Sequence, residues 1–409
     1  MEEFPVAKLT IDKVGVRGKR VLMRVDFNVP VENGVITDDR RIEMAIPSIR
    51  EVIDRGGRCV LMSHRGRPKG VGYDEGASLK VCADRLAELL GKPVAFPSTN
   101  CVDAAAASAV DAMQDGQVLL LENLRFHKEE TEGDPDFAEK LASFGDIYCN
   151  DAFGAAHREH ASIVSAPKIM REQGKPCVSG LLMAQEIRYL SDAVANPGRP
   201  FVAVLGGAKV SDKIPAIDRL LEITDTVLIG GAMAYTLLVA LGRRVGDSRV
   251  EPDSIPAAKR ILDKAAVAKC DLILPTDHVC ATQFESNAEE VKVFEGEIPG
   301  GWMGMDIGPA TQATYAGIIE KAKLVVWNGP MGVFEWRKFS MGTQTIADSM
   351  VAATRNNGAV TIVGGGDSAA AAEKFGAAEV VSHVSTGGGA SLELLEGRAF
   401  ESIAVLDNA

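Results

Sequence analysis

The sequence predicts an α/β protein of two domains, each built on a parallel sheet. Three observations carry this. Eight short apolar runs (VLMRVD, CVLMSH, VLLLENLR, DIYCND, FVAVLGG, TVLIGG, LVVWNG and VTIVGGG) are continuous rather than alternating, the pattern of strands buried on both faces. Stretches with helical spacing separate them, which is βαβ grammar. The length, 409 residues, exceeds the roughly 100–200 expected of one domain.

After the first run, DDRRIEMAIPSIREVIDRG repeats Ile42, Ile46, Ile49 and Ile53 at spacings of three and four, the stripe of an amphipathic helix. SLKVCADRLAELLGKP predicts a second, with Ser78 as N-cap, Leu86, Leu89 and Leu90 facing the core, and Gly91 and Pro93 as stops. The alternation continues to about Asp151, with the alanine run at 104–107 inside a helix. LLMAQEIRYLSDAVANPGRP then reads as one long helix from Leu181 to Ala195, ended by Asn196, Pro197 and Gly198, and the domain boundary is placed on it. From Phe201 the alternation resumes, with helices near 212–221, 232–241 and 252–268.

Composition narrows the function classes. With 46% hydrophobic and 24% charged residues and no segment near the ~20 apolar residues of a membrane helix, the chain reads as soluble and globular, without a membrane partner. Its opening MEEFPVAKLT lacks a signal-peptide core, and seven cysteines form no CxxC pair, so a reducing cytoplasm is expected. A net charge of −12, with neither half basic, argues against a nucleic-acid partner. Any arginine cluster is then local and suited to a small anion.

The run ends differ between the halves. In the first half they carry Asp26, His64, Asn123 with Arg125, and Asn150 with Asp151, side chains able to grip an anion; in the second they carry glycines, where phosphate could approach bare backbone. VDFNVP puts Asp26 and Asn28 just past a strand, although both residue types also form turns. SHRGRP adds His64 and Arg67, and Arg125 and Arg158 recur after later strands; converging guanidinium and imidazole groups suit phosphate or carboxylate, whereas each alone suits solvent. Arg41 is a further candidate, with a solvent-facing pairing to Asp38 or Asp39 as the plain alternative. His157 and His160 lack the HExxH pattern and nearby cysteines, so no metal is read there.

LGGAKVSDK places Lys209 and Lys213 four apart, on one face if a helix has begun; they suit phosphate neutralisation or plain solvation. GGGDS at 364–368 is a glycine turn opening a helix, where backbone N–H groups can hold phosphate and Asp367 can reach magnesium. STGGGAS at 385–391 repeats the device. Neither GxxxxGK[ST] nor GxGxxG occurs.

In this order VDFNVP, SHRGRP, LLLENLRFH, NDAFGAAHREH, LGGAKVSDK, GWMGMDIGP, WNGPMGVFEW, VGGGDSAAA and STGGGASLELLEG resemble the phosphoglycerate kinase family, from about residue 6 to the C-terminus. The resemblance implies two doubly wound, Rossmann-like parallel-sheet domains joined by a long helix and hinge: 1–182 for 3-phosphoglycerate, the connecting helix 183–198, 199–390 for Mg-nucleotide, and 391–409 returning to the first domain. It implies a cytoplasmic monomer that moves a phosphoryl group reversibly between 1,3-bisphosphoglycerate and ADP, giving 3-phosphoglycerate and ATP, with Mg2+, by hinge closure. By the same resemblance His64, Arg67, Arg125 and Arg158 hold the 3-phosphate and Asp26 and Asn28 the glycerate. Arg41 faces the reacting carboxylate, and Lys209 and the turn around Gly388 meet the migrating group. Lys213, Gly304, Glu335, Gly365, Gly366, Asp367 and Ser368 form the nucleotide site, with Asp367 at magnesium. Two departures stand out: Arg65 where leucine is common, read as solvated or as a further anion contact, and Ser368 where threonine is frequent. A kinase for another small carboxylate, or a non-catalytic binding protein, are the alternatives.

Overall fold

The structure, a computed structural model, describes residues 7–195 and 197–409; residues 1–6 and the expected helix stop at Asn196 lie outside them. The chain divides into two compact units, 1–188 with 399–409, and 189–398. The division falls within the long helix Leu181–Ala195, and the C-terminal segment joins the first unit at Ala399, later than the expected 391.

Unit 1 holds six parallel strands: β1 (Arg20–Arg24), β2 (Arg58–Met62), β3 (Val94–Ala95), β4 (Val118–Leu120), β5 (Ile147–Asn150) and β6 (Cys177–Ser179), in the order β3-β4-β2-β1-β5-β6. Alternate residues divide between two cores. Val21, Met23, Cys59, Leu61 and Val118 join one, and Leu22, Val60, Met62, Leu119 and Tyr148 the other, which is why these runs are apolar without alternation. The C-terminal segment is fixed by paired bonds: Asp407 N–H donates to the Cys177 carbonyl (2.8 Å) and Cys177 N–H to Asp407 Oδ2 (2.9 Å), while Val405 and Leu406 enter the second core.

Unit 2 repeats the scheme with β7 (Phe201–Leu205), β8 (Thr226–Ile229), β9 (Asp271–Ile273), β10 (Leu324–Asn328), β11 (Val360–Gly364) and β12 (His383–Val384), ordered β9-β8-β7-β10-β11-β12. The order reverses between β7 and β10, the place where such sheets open a ligand crevice. A three-stranded antiparallel sheet of Asp277–Ala281, Val291–Glu295 and Met303–Ile307 is added.

Two local expectations need correction. Helix Lys80–Leu90 starts after Leu79, one residue later than expected, with Ser78 Oγ accepting from Lys80 N–H (3.2 Å) while its hydroxyl donates to Glu122 (2.7 Å). Helix Ile214–Ile223 begins only after Lys213, so Lys209 and Lys213 do not share a helical face. All seven cysteines are free and buried.

Candidate active site

In unit 1 the strands are parallel, so their carboxyl ends lie along one edge, and the loops that follow carry the predicted side chains. Asp26, past β1, is almost buried and accepts from Arg41 Nη1 at 2.8 Å. The plain pairing of Arg41 with Asp38 or Asp39 does not form: Arg40 takes Asp38, and Arg85 takes Asp39. Asn28 Oδ1 accepts from Gly66 N–H (2.8 Å), shaping the loop that carries Arg67, which is exposed.

Arg125, past β4, is buried and donates from Nη1 to the Gly66 carbonyl (2.8 Å). Its Nε and Nη2 are buried with no partner, and burial, with Arg158 and Arg24 nearby, pushes its pKa down to about 10. A guanidinium held dry with two donors unpaired is poised for an anion. His64, past β2, is also buried; burial and the guanidiniums of Arg24, Arg125, Arg158 and Arg41 hold it well below the usual histidine range. Arg158 is half-buried beside them.

Three strand-end residues have other work. Asn123 donates to the carbonyls of Arg65 (2.7 Å) and Ala77 (2.8 Å) and accepts from Arg125 N–H. Asn150 Oδ1 accepts from Ala152 N–H, and buried Asp151 accepts from Met183 N–H (3.0 Å) in the first turn of the long helix, its pKa raised by burial to about 6. They shape turns and cap a helix. Arg65 is neither solvated nor turned to the anion cluster: buried, it donates to the carbonyls of Ser78 (3.0 Å) and Gly76 (2.6 Å).

In unit 2, Lys213 precedes its helix and donates to Asn328 Oδ1, across the point where the sheet order reverses. Burial lowers its pKa to about 8, against the opposing pull of Asp212, Asp367 and Glu396. Asn328 also limits the glycine turn, since a Cβ at Gly365 (φ 93°) would lie 3.1 Å from its Nδ2. Gly366 opens helix Gly366–Lys374 onto free space, with exposed Asp367 in the first turn. Ser368 is buried, and its hydroxyl accepts from Gly329 N–H (2.6 Å). At the second turn Gly388 (φ 53°) has open space around it, and Gly387 N–H is held by Ser385 Oγ (3.0 Å).

Other glycines serve packing instead. A Cβ at Gly329 would lie 2.2 Å from the Gly206 carbonyl oxygen, at Gly206 2.2 Å from that of Pro330, and at Gly231 2.5 Å from Gly207 N, so a side chain at these strand ends would strike neighbouring backbone. Gly304 lies under the Tyr235 hydroxyl, 1.9 Å from where its Cβ would stand. Glu335 and Lys209 are exposed.

Sequence reasoning missed Arg24, Ser162 and Glu130, which lie behind His64, and Asn328. A lone arginine inside the otherwise apolar run VLMRV was the available signal.

The phosphoglycerate kinase family profile matches residues 11–398. A phosphoglycerate kinase of Rhodopirellula baltica is 53% identical over 407 residues, covering 99% of this chain and 100% of that one. One of Trypanosoma congolense, named cytosolic, is 48% identical over 98% of each chain. The solved phosphoglycerate kinase of Coxiella burnetii superposes with a TM-score of 0.86 at 37% identity, covering 97% of this chain and 98% of that one. The chain therefore belongs to the phosphoglycerate kinase family and is a phosphotransferase with phosphoglycerate kinase activity.

Proposed function

We propose that unit 1 holds 3-phosphoglycerate or 1,3-bisphosphoglycerate and unit 2 holds Mg-ADP or Mg-ATP, and that closure about the long helix brings them together for in-line transfer. The observation that carries the substrate assignment is Arg125, buried with Nε and Nη2 unpaired among Arg24, Arg158 and His64. In this reading Arg125, Arg158, Arg67 and His64 take the 3-phosphate, and Asp26 and Asn28 orient the glycerate. Arg41 has only Nη1 committed, to Asp26, which leaves donors for the reacting carboxylate.

On unit 2, Lys213 and the backbone N–H groups of Gly365, Gly366 and Ser368 face the nucleotide phosphates, and Gly304 and Glu335 border the nucleoside. Lys209 and the N–H groups at Gly388 meet the migrating phosphoryl group. Among the described residues no cluster of three or more His, Cys, Asp or Glu could hold an ion by itself, while Asp367 is exposed beside the glycine turn. That fits magnesium, which is usually held by one or two carboxylates plus substrate phosphates. Bound there, the ion neutralises phosphate charge. The chain's residues align and neutralise the reactants, and no general base is required because the attacking carboxylate is already ionised at neutral pH.

We place the protein in the cytoplasm, acting as a monomer on small molecules. Among the described residues no helix is long and apolar enough to cross a membrane, and the Trypanosoma relative is named cytosolic.

Arg125→Met tests the substrate assignment. Losing charge-assisted bonds to the 3-phosphate should raise KM for 3-phosphoglycerate by about 10- to 100-fold while KM for MgATP stays within about twofold. An unchanged KM for 3-phosphoglycerate would remove Arg125 from the site.

A further inference from the structure

Arg24 is a charged side chain on a central strand, 0% exposed, and each of its three nitrogens is committed within the protein. Nε donates to Ser162 Oγ (3.0 Å), Nη1 to the Val25 carbonyl, and Nη2 meets His64 Nδ1 at 3.0 Å. A guanidinium has no lone pair to offer and stays protonated, so at that contact Nδ1 must be the acceptor. A neutral imidazole that accepts at Nδ1 carries its proton on Nε2.

The groups facing His64 favour this state. Arg24, Arg125, Arg158 and Arg41 all oppose a positive ring. Asp26 Oδ1 is 3.9 Å from Nδ1, but the Asp26 carboxylate is already paired with Arg41 at 2.8 Å. An imidazolium would set its Nδ1–H against the Arg24 N–H, with no acceptor between them. Behind Arg24, Ser162 Oγ donates to Glu130 Oε1 (2.6 Å) and Ser162 N–H to Oε2 (2.9 Å). This fixes the hydroxyl so that its lone pair faces Arg24 Nε. Glu130 is 0% exposed and supplies the buried countercharge.

We propose that Arg24 is a positioning residue that locks His64 as a neutral Nε2–H donor to the substrate's remote phosphate, and that Ser162 and Glu130 hold Arg24 in that role. The inference rests on the proposed placement of that phosphate at His64. The lock separates two tasks: the arginines supply the charge, and His64 supplies a directed hydrogen bond whose strength does not depend on its own titration.

The test begins with the unmodified full chain, labelled with 15N-histidine, its His64 signals assigned through His64→Gln. His64 should carry its proton on Nε2 and stay neutral from about pH 7.5 to about pH 5.5, where an ordinary histidine titrates. A proton on Nδ1, or protonation within that range, overturns the lock. On adding 3-phosphoglycerate the Nε2–H resonance should move; a locked ring that ignores the ligand instead rejects the phosphate placement on which the inference depends. In kinetics, Arg24→Met should raise KM for 3-phosphoglycerate by at least about tenfold, leave KM for MgATP unchanged, and make the raised KM fall with falling pH as His64 becomes free to protonate. Arg24→Lys, which keeps a cationic donor, should restore the pH-independent KM. Loss confined to kcat, with both KM values unchanged, would overturn the positioning role.

Discussion

Lys213 couples residue chemistry to a pH response. Burial holds its pKa at about 8, so it is cationic at neutral pH and loses its charge as pH rises through that value. If it neutralises nucleotide phosphate, kcat/KM for Mg-nucleotide should fall above about pH 8, because this parameter reports the free enzyme. Lys213→Arg, charged throughout, should remove that limb from the pH–rate profile; an unaltered limb would assign the titration elsewhere. Asp26, His64, Arg125 and Arg158 were legible as site candidates because each follows an apolar run where a folded chain turns. Glu130 was not, since HKEETEGD reads as a solvated charge run, and only tertiary burial gives it Ser162 and Arg24 as neighbours. Arg65 reads as solvated for the same reason: the carbonyls that receive it belong to a distant loop.

At the scale of elements, glycine has two roles that sequence alone does not separate. Gly329 is pressed against the Gly206 carbonyl, whereas Gly366, at the start of its helix, has open space and no positive φ. Gly329→Ala should therefore lower the melting temperature markedly, since the intruding Cβ meets backbone that cannot yield. Gly366→Ala should change stability by no more than about 0.5 kcal/mol, as substitutions on open surface do, yet raise KM for MgATP if phosphate approaches that backbone. An unaltered KM there would reject the glycine turn as a phosphate site. The eight short runs were legible as strands because burial on both faces leaves them mostly apolar, without alternation. The edge strands β3 and β12, two residues each, are too short to carry any period. The antiparallel strand Val291–Glu295 is mostly exposed and lacks an apolar run altogether.

At the scale of the whole molecule, the division between the two units falls inside the long helix, and a continuous helix shows no break in its own pattern that would mark the residue. The return of the chain at Ala399 depends on pairing between Cys177 and Asp407, which no local signal announces. Because one substrate is proposed for each unit, closure of the units is proposed with it. Small-angle scattering should show a smaller radius of gyration with both substrates than with either alone, and equal radii would contradict closure. The most direct test of the account follows acyl phosphate, trapped as its hydroxamate, with MgATP and either 3-phosphoglycerate or glycerate as acceptor. The account predicts product with 3-phosphoglycerate and essentially none with glycerate, because Arg125, Arg158 and His64 have no remote phosphate to hold in the latter. Equal product from glycerate would show that this cluster does not select the substrate.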